Sequence, residues 1–381
     1  MVHAMTHGSG VARPKRDERG SAGATVGGGG SRFAALQVAF QRATDARPDG
    51  LRESYYTFGG RHVRVRIVGR RLADEFCRPF AHLKANENDS SLPRLTIDLW
   101  DEEETGISPP VESTSDNVEA SRRIPGDLLF IPPDGRFVRH RFREPVVWLD
   151  RAAQHMIGWA ASSQHLSLYE RGKPLLPLLS VWYHDRGVQL VHAGLVSRNG
   201  HGVLLPGMGG AGKSTSALAC VDAGFDYLGD DYVGLQARED GSFVGHSLYN
   251  STWLEPDHMA RFPLLPSHAI HGSNAREDKS LVLLSQVFPT RLSRTAPIRV
   301  LALPRIVDRH TTQCRRASKG DALLALAPSS LFALPARPGA RGLDRLAQLV
   351  EQVPSYWLEL GRDLTAIPHR VEELLAEVTR S

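Results

Sequence analysis

Apolar and polar positions divide the chain into stretches of different period. From Phe33 to Ala43 apolar residues recur at helical spacing, whereas Val63, Val65 and Ile67 alternate with Arg64 and Arg66 as in a half-buried strand. Arginines on the open face of such a strand fit a solvated edge, where charge discourages pairing with another chain. Helical spacing is expected again from about Asp150 to Ser163, strand-rich sequence from about Leu179, and amphipathic helices over Asp344–Gln352 and His369–Thr379. Two apolar runs, Val188–Val196 and Val203–Leu205, flank Asn199-Gly200, a pair that tolerates positive φ and marks a two-residue hairpin loop. Positions paired across that hairpin sum to 399, which sets His192 opposite Gly207. His201 falls at the turn, on the solvent side.

The organisation follows from the breaks in these patterns. Residues 1–31, rich in Gly and Ser and ending in Gly27–Gly30, hold too little apolar surface to offset the entropy of ordering, so a disordered leader is expected. Pro174 and Pro177 place a boundary at about 172–178. It separates a smaller α+β domain, 32–175, expected to recognise substrate or partner, from a domain over 176–381. Asp101–Glu104, running on through Ser115, reads as a solvated surface loop.

With 381 residues, 41% hydrophobic and 23% charged, the chain has the makings of a folded two-domain protein. A net charge of +4 spread over that length does not suggest obligate nucleic-acid binding. No stretch has spanning length or the core of a signal peptide, so no membrane association and a cytoplasmic location are expected. Cys77, Cys220 and Cys314 are scattered and suggest neither a zinc site nor a disulfide framework.

Chemistry concentrates between Val188 and Gly234. Gly207-Met208-Gly209-Gly210-Ala211-Gly212-Lys213-Ser214 matches G-x-x-x-x-G-K-[ST], preceded by an apolar strand and followed by helix-forming Ala217-Leu218-Ala219. Glycines let successive N–H groups turn inward toward phosphate oxygens, and the helix N-terminus adds a favourable field. The cofactor-binding set is therefore Gly207, Gly209, Gly210, Ala211, Gly212, Lys213, Ser214 and Thr215, with Lys213 bridging terminal phosphates and Ser214 ligating Mg²⁺. The same glycines also spell G-x-G-x-x-G, a dinucleotide fingerprint with Asp230 as the ribose acid. Chance alone yields that shorter pattern about 0.3 times in this composition and the longer one about 0.006 times, which favours a nucleoside triphosphate. After the helix, Phe225–Leu228 reads as a strand ending in Asp230-Asp231, one acid available for Mg²⁺ and the other for proton acceptance. No H-R-D, D-F-G, N-K-x-D or L-S-G-G-Q motif occurs.

His192-Ala193-Gly194, Gly200-His201-Gly202-Val203-Leu204-Leu205, the loop to Ser214, and Asp230-Asp231 together resemble the HPr kinase family in order and spacing. Gly209 stands where that family has Ser, and its Glu-Ile-Arg-Gly-x-Gly signature has no clear counterpart. The resemblance implies an α/β fold: a P-loop core with a mixed sheet like that of ATP-dependent phosphoenolpyruvate carboxykinase, beside the smaller N-terminal domain. It implies an ATP- and Mg²⁺-dependent kinase acting on the serine of a protein or peptide, and a homo-oligomer. By it, Lys213, Asp230 as base and His192 are the catalytic residues, and Ser214 and Asp231 the metal ligands. Lys279, in Arg276-Glu277-Asp278-Lys279, is a candidate cation for the transferred phosphoryl, or part of a charged loop. A small-molecule kinase and a non-catalytic ATP switch stay open beside this reading.

Overall fold

The computed structural model describes residues 28–86, 94–110, 121–122, 128–130, 135–141, 143–272, 279–332 and 339–380. Of the expected leader, residues 1–27 lie outside this set, and the remainder belongs to helix α1 (Gly28–Ala46), which starts earlier than its apolar spacing suggests.

The first sheet contains β1 (Leu51–Phe58), β2 (Arg61–Val68), β3 (Leu95–Asp101), β4 (Ser121–Arg122), β5 (Leu128–Phe130), β6 (Phe137–Arg141), β7 (Pro145–Asp150) and β8 (His155–Ala160). Their order is β1-β2-β3-β8-β7-β6-β5-β4. Three expectations change here. β2 is an interior strand, and its arginines answer acids on its neighbours: Arg64 makes two bonds to Glu53 at 2.8 and 2.9 Å, and Arg66 reaches Asp98, which His155 also contacts at 2.8 Å. The stretch expected to be helical from Asp150 holds β8, paired on both sides by β3 and β7. The acidic run from Asp101 is partly internal. Asp101 is buried and caps helix α3 (Glu102–Thr105), and Glu104 accepts from the backbone N–H groups of Arg70 and Arg71 at the start of α2 (Arg70–Cys77). Residues 111–115 of that expected loop lie outside the described set.

Helices α4 (Leu168–Gly172) and α5 (Leu176–Asp185) lead to the second sheet. The strand expected near Leu179 is α5, every residue of which from Leu176 to Tyr183 is buried. A segment apolar at every position but Ser180 and buried throughout carries no period to distinguish helix from strand. Its side chains share one core with Phe58 and Ile97 of the first sheet and with Val188, Leu190 and Leu248 beyond it.

The second sheet starts with the hairpin β9 (Gln189–Arg198) and β10 (His201–Pro206), closed by Asn199 and Gly200, both at positive φ. Every pair from His201–Arg198 to Pro206–Ala193 sums to 399. Next come α6 (Lys213–Asp222), β11 (Asp226–Gly229), β12 (Tyr232–Ala237), β13 (Phe243–His246), β14 (Ser251–Leu254), α7 (Pro256–Met259), β15 (Ser280–Leu283) and α8 (Leu284–Val287). They are followed by β16 (Thr295–Ile306), β17 (Gln313–Arg316), α9 (Lys319–Phe332), α10 (Gly339–Gln352), β18 (Ser355–Leu360) and α11 (Ala366–Arg380). The order is β10-β9-β12-β13-β16-β18-β17, and β16 also pairs with β10, so five strands close on themselves. β11 pairs with β9, and β14 with β15.

Val203 and Leu205 face one core with α6 and α11, while Leu204 faces another with α9 and α10. Helices cover both faces, which is why β10 reads as a continuous apolar run. Among the described residues no helix is long and apolar enough to cross a membrane.

Burial holds two histidines of this frame neutral. His82 bonds Ser247 at 2.6 Å and is pushed down to about 3, and His246 bonds Gln236 at 2.8 Å and is pushed down to about 4. Both titrate near 6.5 when unfolded, so below that pH the unfolded chain binds more protons and the native state loses stability. The melting temperature should fall as pH drops from 6.5 toward 4, and His82→Gln should flatten that slope relative to wild type in thermal denaturation.

Candidate functional site

The phosphate loop runs from the end of β10 to the first turn of α6. Gly210 and Gly212 sit at φ +80° and +100°, and a Cβ on Gly212 would lie 2.3 Å from Leu360 Cδ1 of β18. Gly207 packs closely on Ala211, whereas a Cβ on Gly209 would meet nothing within 4 Å. Lys213 is buried and folds back along the loop, donating to the carbonyls of Gly207 at 2.8 Å and Met208 at 3.1 Å. Burial pushes its ammonium down and Asp230 opposes that.

β11 runs in the same direction as β10, both antiparallel to β9 between them, and so delivers Asp230 and Asp231 to the edge where the loop begins. The two acids have different surroundings. Asp230, 2% exposed, accepts from Thr252 Oγ1 at 2.5 Å and lies 3.2 Å from the Tyr227 hydroxyl. Burial raises its carboxyl against the pull of Thr252, Lys173, Ser214 and Tyr227. Asp231, 24% exposed at its side chain, has one oxygen on Lys173 Nζ and the other 2.7 Å from His192 Nε2. Burial, then Lys213 and Lys173, push His192 down to about 3.

The hairpin register carries on to this point. The pair after Pro206–Ala193 would be Gly207 and His192, but the ladder stops at Pro206, and on the other edge of β9 His192 pairs with Tyr232 of β12, on which its ring stacks at 5.3 Å. The backbone N–H of His192 donates to Ser330 of α9 at 3.0 Å.

These residues line one cleft of about 550 Å³, in the range that holds a nucleotide. Gly209, Gly210, Gly212, Lys213, Ser214, Thr215, His192, Asp230 and Asp231 are on its wall; Gly207 and Ala211 shape the loop from behind. Lys279 is there too, half exposed and 3.9 Å from Glu255.

The same cleft contains residues that motif reasoning passed over: Tyr169 and Lys173 from the connection between the sheets, Trp253 and Glu255 after β13, and His258 and Arg261 around α7. Lys173 lies just before Pro174, and Tyr232 follows the acid pair directly; neither signal points to chemistry without the fold. Lys173 is pushed down to about 8 by burial, with Asp230 opposing and Lys279 and Lys213 adding to the shift.

The oxygen donors suit Mg²⁺, which takes one or two protein ligands and completes its shell with phosphate and water. Ser214, Asp230 and Glu255 are on the cleft wall. Asp231 fits the expected ligand role less well, because one of its oxygens already holds the ammonium group of Lys173 and the other lies against the His192 ring.

No protein-family profile matches the chain, and no curated protein matches it. Among solved structures it is similar to the Hpr(Ser) kinase/phosphatase from Coxiella burnetii, at 14% identity and a TM-score of 0.26, over 50% of this chain and 95% of that one.

The glycines of the loop should differ in tolerance. Gly212→Ala should lower the melting temperature by about 4 °C or more in thermal denaturation, through left-handed strain and the clash with Leu360. Gly209→Ala should leave it within about 1 °C of wild type.

Proposed function

We propose that this chain is an ATP- and Mg²⁺-dependent phosphotransferase that passes the γ-phosphoryl group to a hydroxyl, a serine of a protein or peptide. The observation that carries the reading is the meeting of a G-x-x-x-x-G-K-S loop with a buried carboxylate, Asp230, on the wall of one cleft of nucleotide size that the loop's own Ser214 also lines. A dinucleotide site has no use for Lys213.

In this reading Lys213 and the loop N–H groups stabilise the charge that develops on the phosphoryl oxygens. Asp230 accepts the proton of the attacking hydroxyl as the new O–P bond forms and the bond from phosphorus to the β,γ-bridging oxygen breaks. Its raised carboxyl and its three hydroxyl neighbours support that role. Bound Mg²⁺ would be held by Ser214, with Glu255 as the more exposed carboxylate of the cleft, and would offset the charge of the β- and γ-phosphates. Asp231 is then assigned to organising the site. The unit built on the first sheet presents the acceptor, a role supported by the position of Tyr169 and Lys173 on the cleft wall.

Calorimetric titration should show binding of Mg·ATP in preference to NAD, lost in Lys213→Ala. Asp230→Asn should keep ATP affinity within about threefold and lower phosphoryl transfer by about a hundredfold or more, the usual worth of a general base. Binding of NAD alone, or undiminished transfer in Asp230→Asn, would remove the assignment.

A further inference from the structure

Lys173 belongs to no part of the phosphate-loop motif. It lies between α4 and α5, on the connection that carries the chain from the first sheet to the second, yet its side chain is buried in the cleft against Asp231. Three rings surround its ammonium group: Trp253 at 5.2 Å, Tyr232 at 5.5 Å and Tyr169 at 5.7 Å. The backbone on either side is tied down. The carbonyl of Gly172 accepts from Ser251 Oγ at 2.7 Å, and that of Pro174 accepts from the Tyr249 hydroxyl at 2.8 Å. Even a methyl group on Gly172 would come within 2.6 Å of Trp253.

Confining an ammonium group in this way costs desolvation that the rings and the carboxylate only partly return. Apolar side chains of similar volume commonly replace a buried ion pair with no loss of stability, so stability alone does not account for this one. What the pair does achieve is geometric. With Lys173 on one oxygen and His192 against the other, the Asp231 carboxylate is flanked on both sides, next in the chain to Asp230.

Resting on the kinase reading above, we propose that Lys173 is a positioning residue of the phosphoryl-transfer centre, contributed by the connection between the two sheets. It holds Asp231 in place and sets an ammonium group beside the acid pair. Two lysines, Lys173 and Lys213, then face two carboxylates within the cleft before Mg·ATP arrives. Removing one leaves the acids misaligned and short of compensating charge when the phosphoryl group is in flight, while the loop that binds ATP is untouched.

The test measures ATP affinity by calorimetry and phosphate release from Mg·ATP with water standing in for the acceptor, in wild type, Lys173→Ala, Lys173→Met and Lys173→Arg. In Lys173→Ala and Lys173→Met, ATP affinity should stay within about threefold while kcat falls by about a hundredfold, the order of one preorganised electrostatic group. Propylammonium, which replaces the deleted atoms, should restore Lys173→Ala saturably by about tenfold or more, since an aromatic cage favours such cations. It should do nothing for Lys173→Met, and Lys173→Arg should retain more activity than Lys173→Met. If Lys173→Ala fails to fold, the near-isosteric Met and the charge-retaining Arg variants decide by their difference in kcat.

Turnover in Lys173→Met within about threefold of wild type would overturn the inference and leave the kinase reading standing. Equal losses in all three variants with no rescue by amine would make Lys173 a packing residue and overturn it as well. Wild type that binds Mg·ATP, yet passes phosphate neither to water nor to a panel of serine peptides, would overturn the kinase reading and this inference together.

Discussion

Two neighbouring carboxylates at the end of β11, one buried and one half-buried, impose demands that the rest of the second unit meets. A buried anion is tolerated only with charged or hydrogen-bonding partners, and no single element can supply them for both. Asp230 draws on Thr252 from β14, Ser214 from α6 and Tyr227 from its own strand. Asp231 draws on His192 from β9 and on Lys173 from the connection between the sheets. The closed ring of β10, β9, β12, β13 and β16 fixes the sheet edge from which these groups converge.

Much of that edge is legible from local sequence, because local chemistry decides it. Asn199-Gly200 sets the hairpin register through backbone conformations few other residues adopt, and the ladder follows it to the last pair. The loop glycines are legible for the same reason, Gly212 most of all, since no side chain fits between its backbone and Leu360. The amphipathic α10 and α11 announce themselves by spacing.

What stays hidden depends on partners distant in the chain. Arg64 and Arg66 look solvated until Glu53 and Asp98 arrive on the neighbouring strands. α5 is apolar all round, and β8 is short, so neither carries a usable period. Lys173 is the sharpest case, 58 residues from Asp231 and with no motif around it. Its character comes from three rings and a carboxylate that only the tertiary fold assembles.

The helix that follows Lys173 has a bearing on how such a chain can change over time. Leu178, Leu179, Val181 and Trp182 of α5 belong to the same core as residues of both sheets, and a shared core is the unit in which folding is cooperative. Two architectures drawn as separate layers are thus one energetic body, with the lysine of the cleft at the joint. Neither half is then a module that recombination could lend to another protein intact: a graft that kept the loop and lost the first sheet would carry away the cleft without the core that backs it.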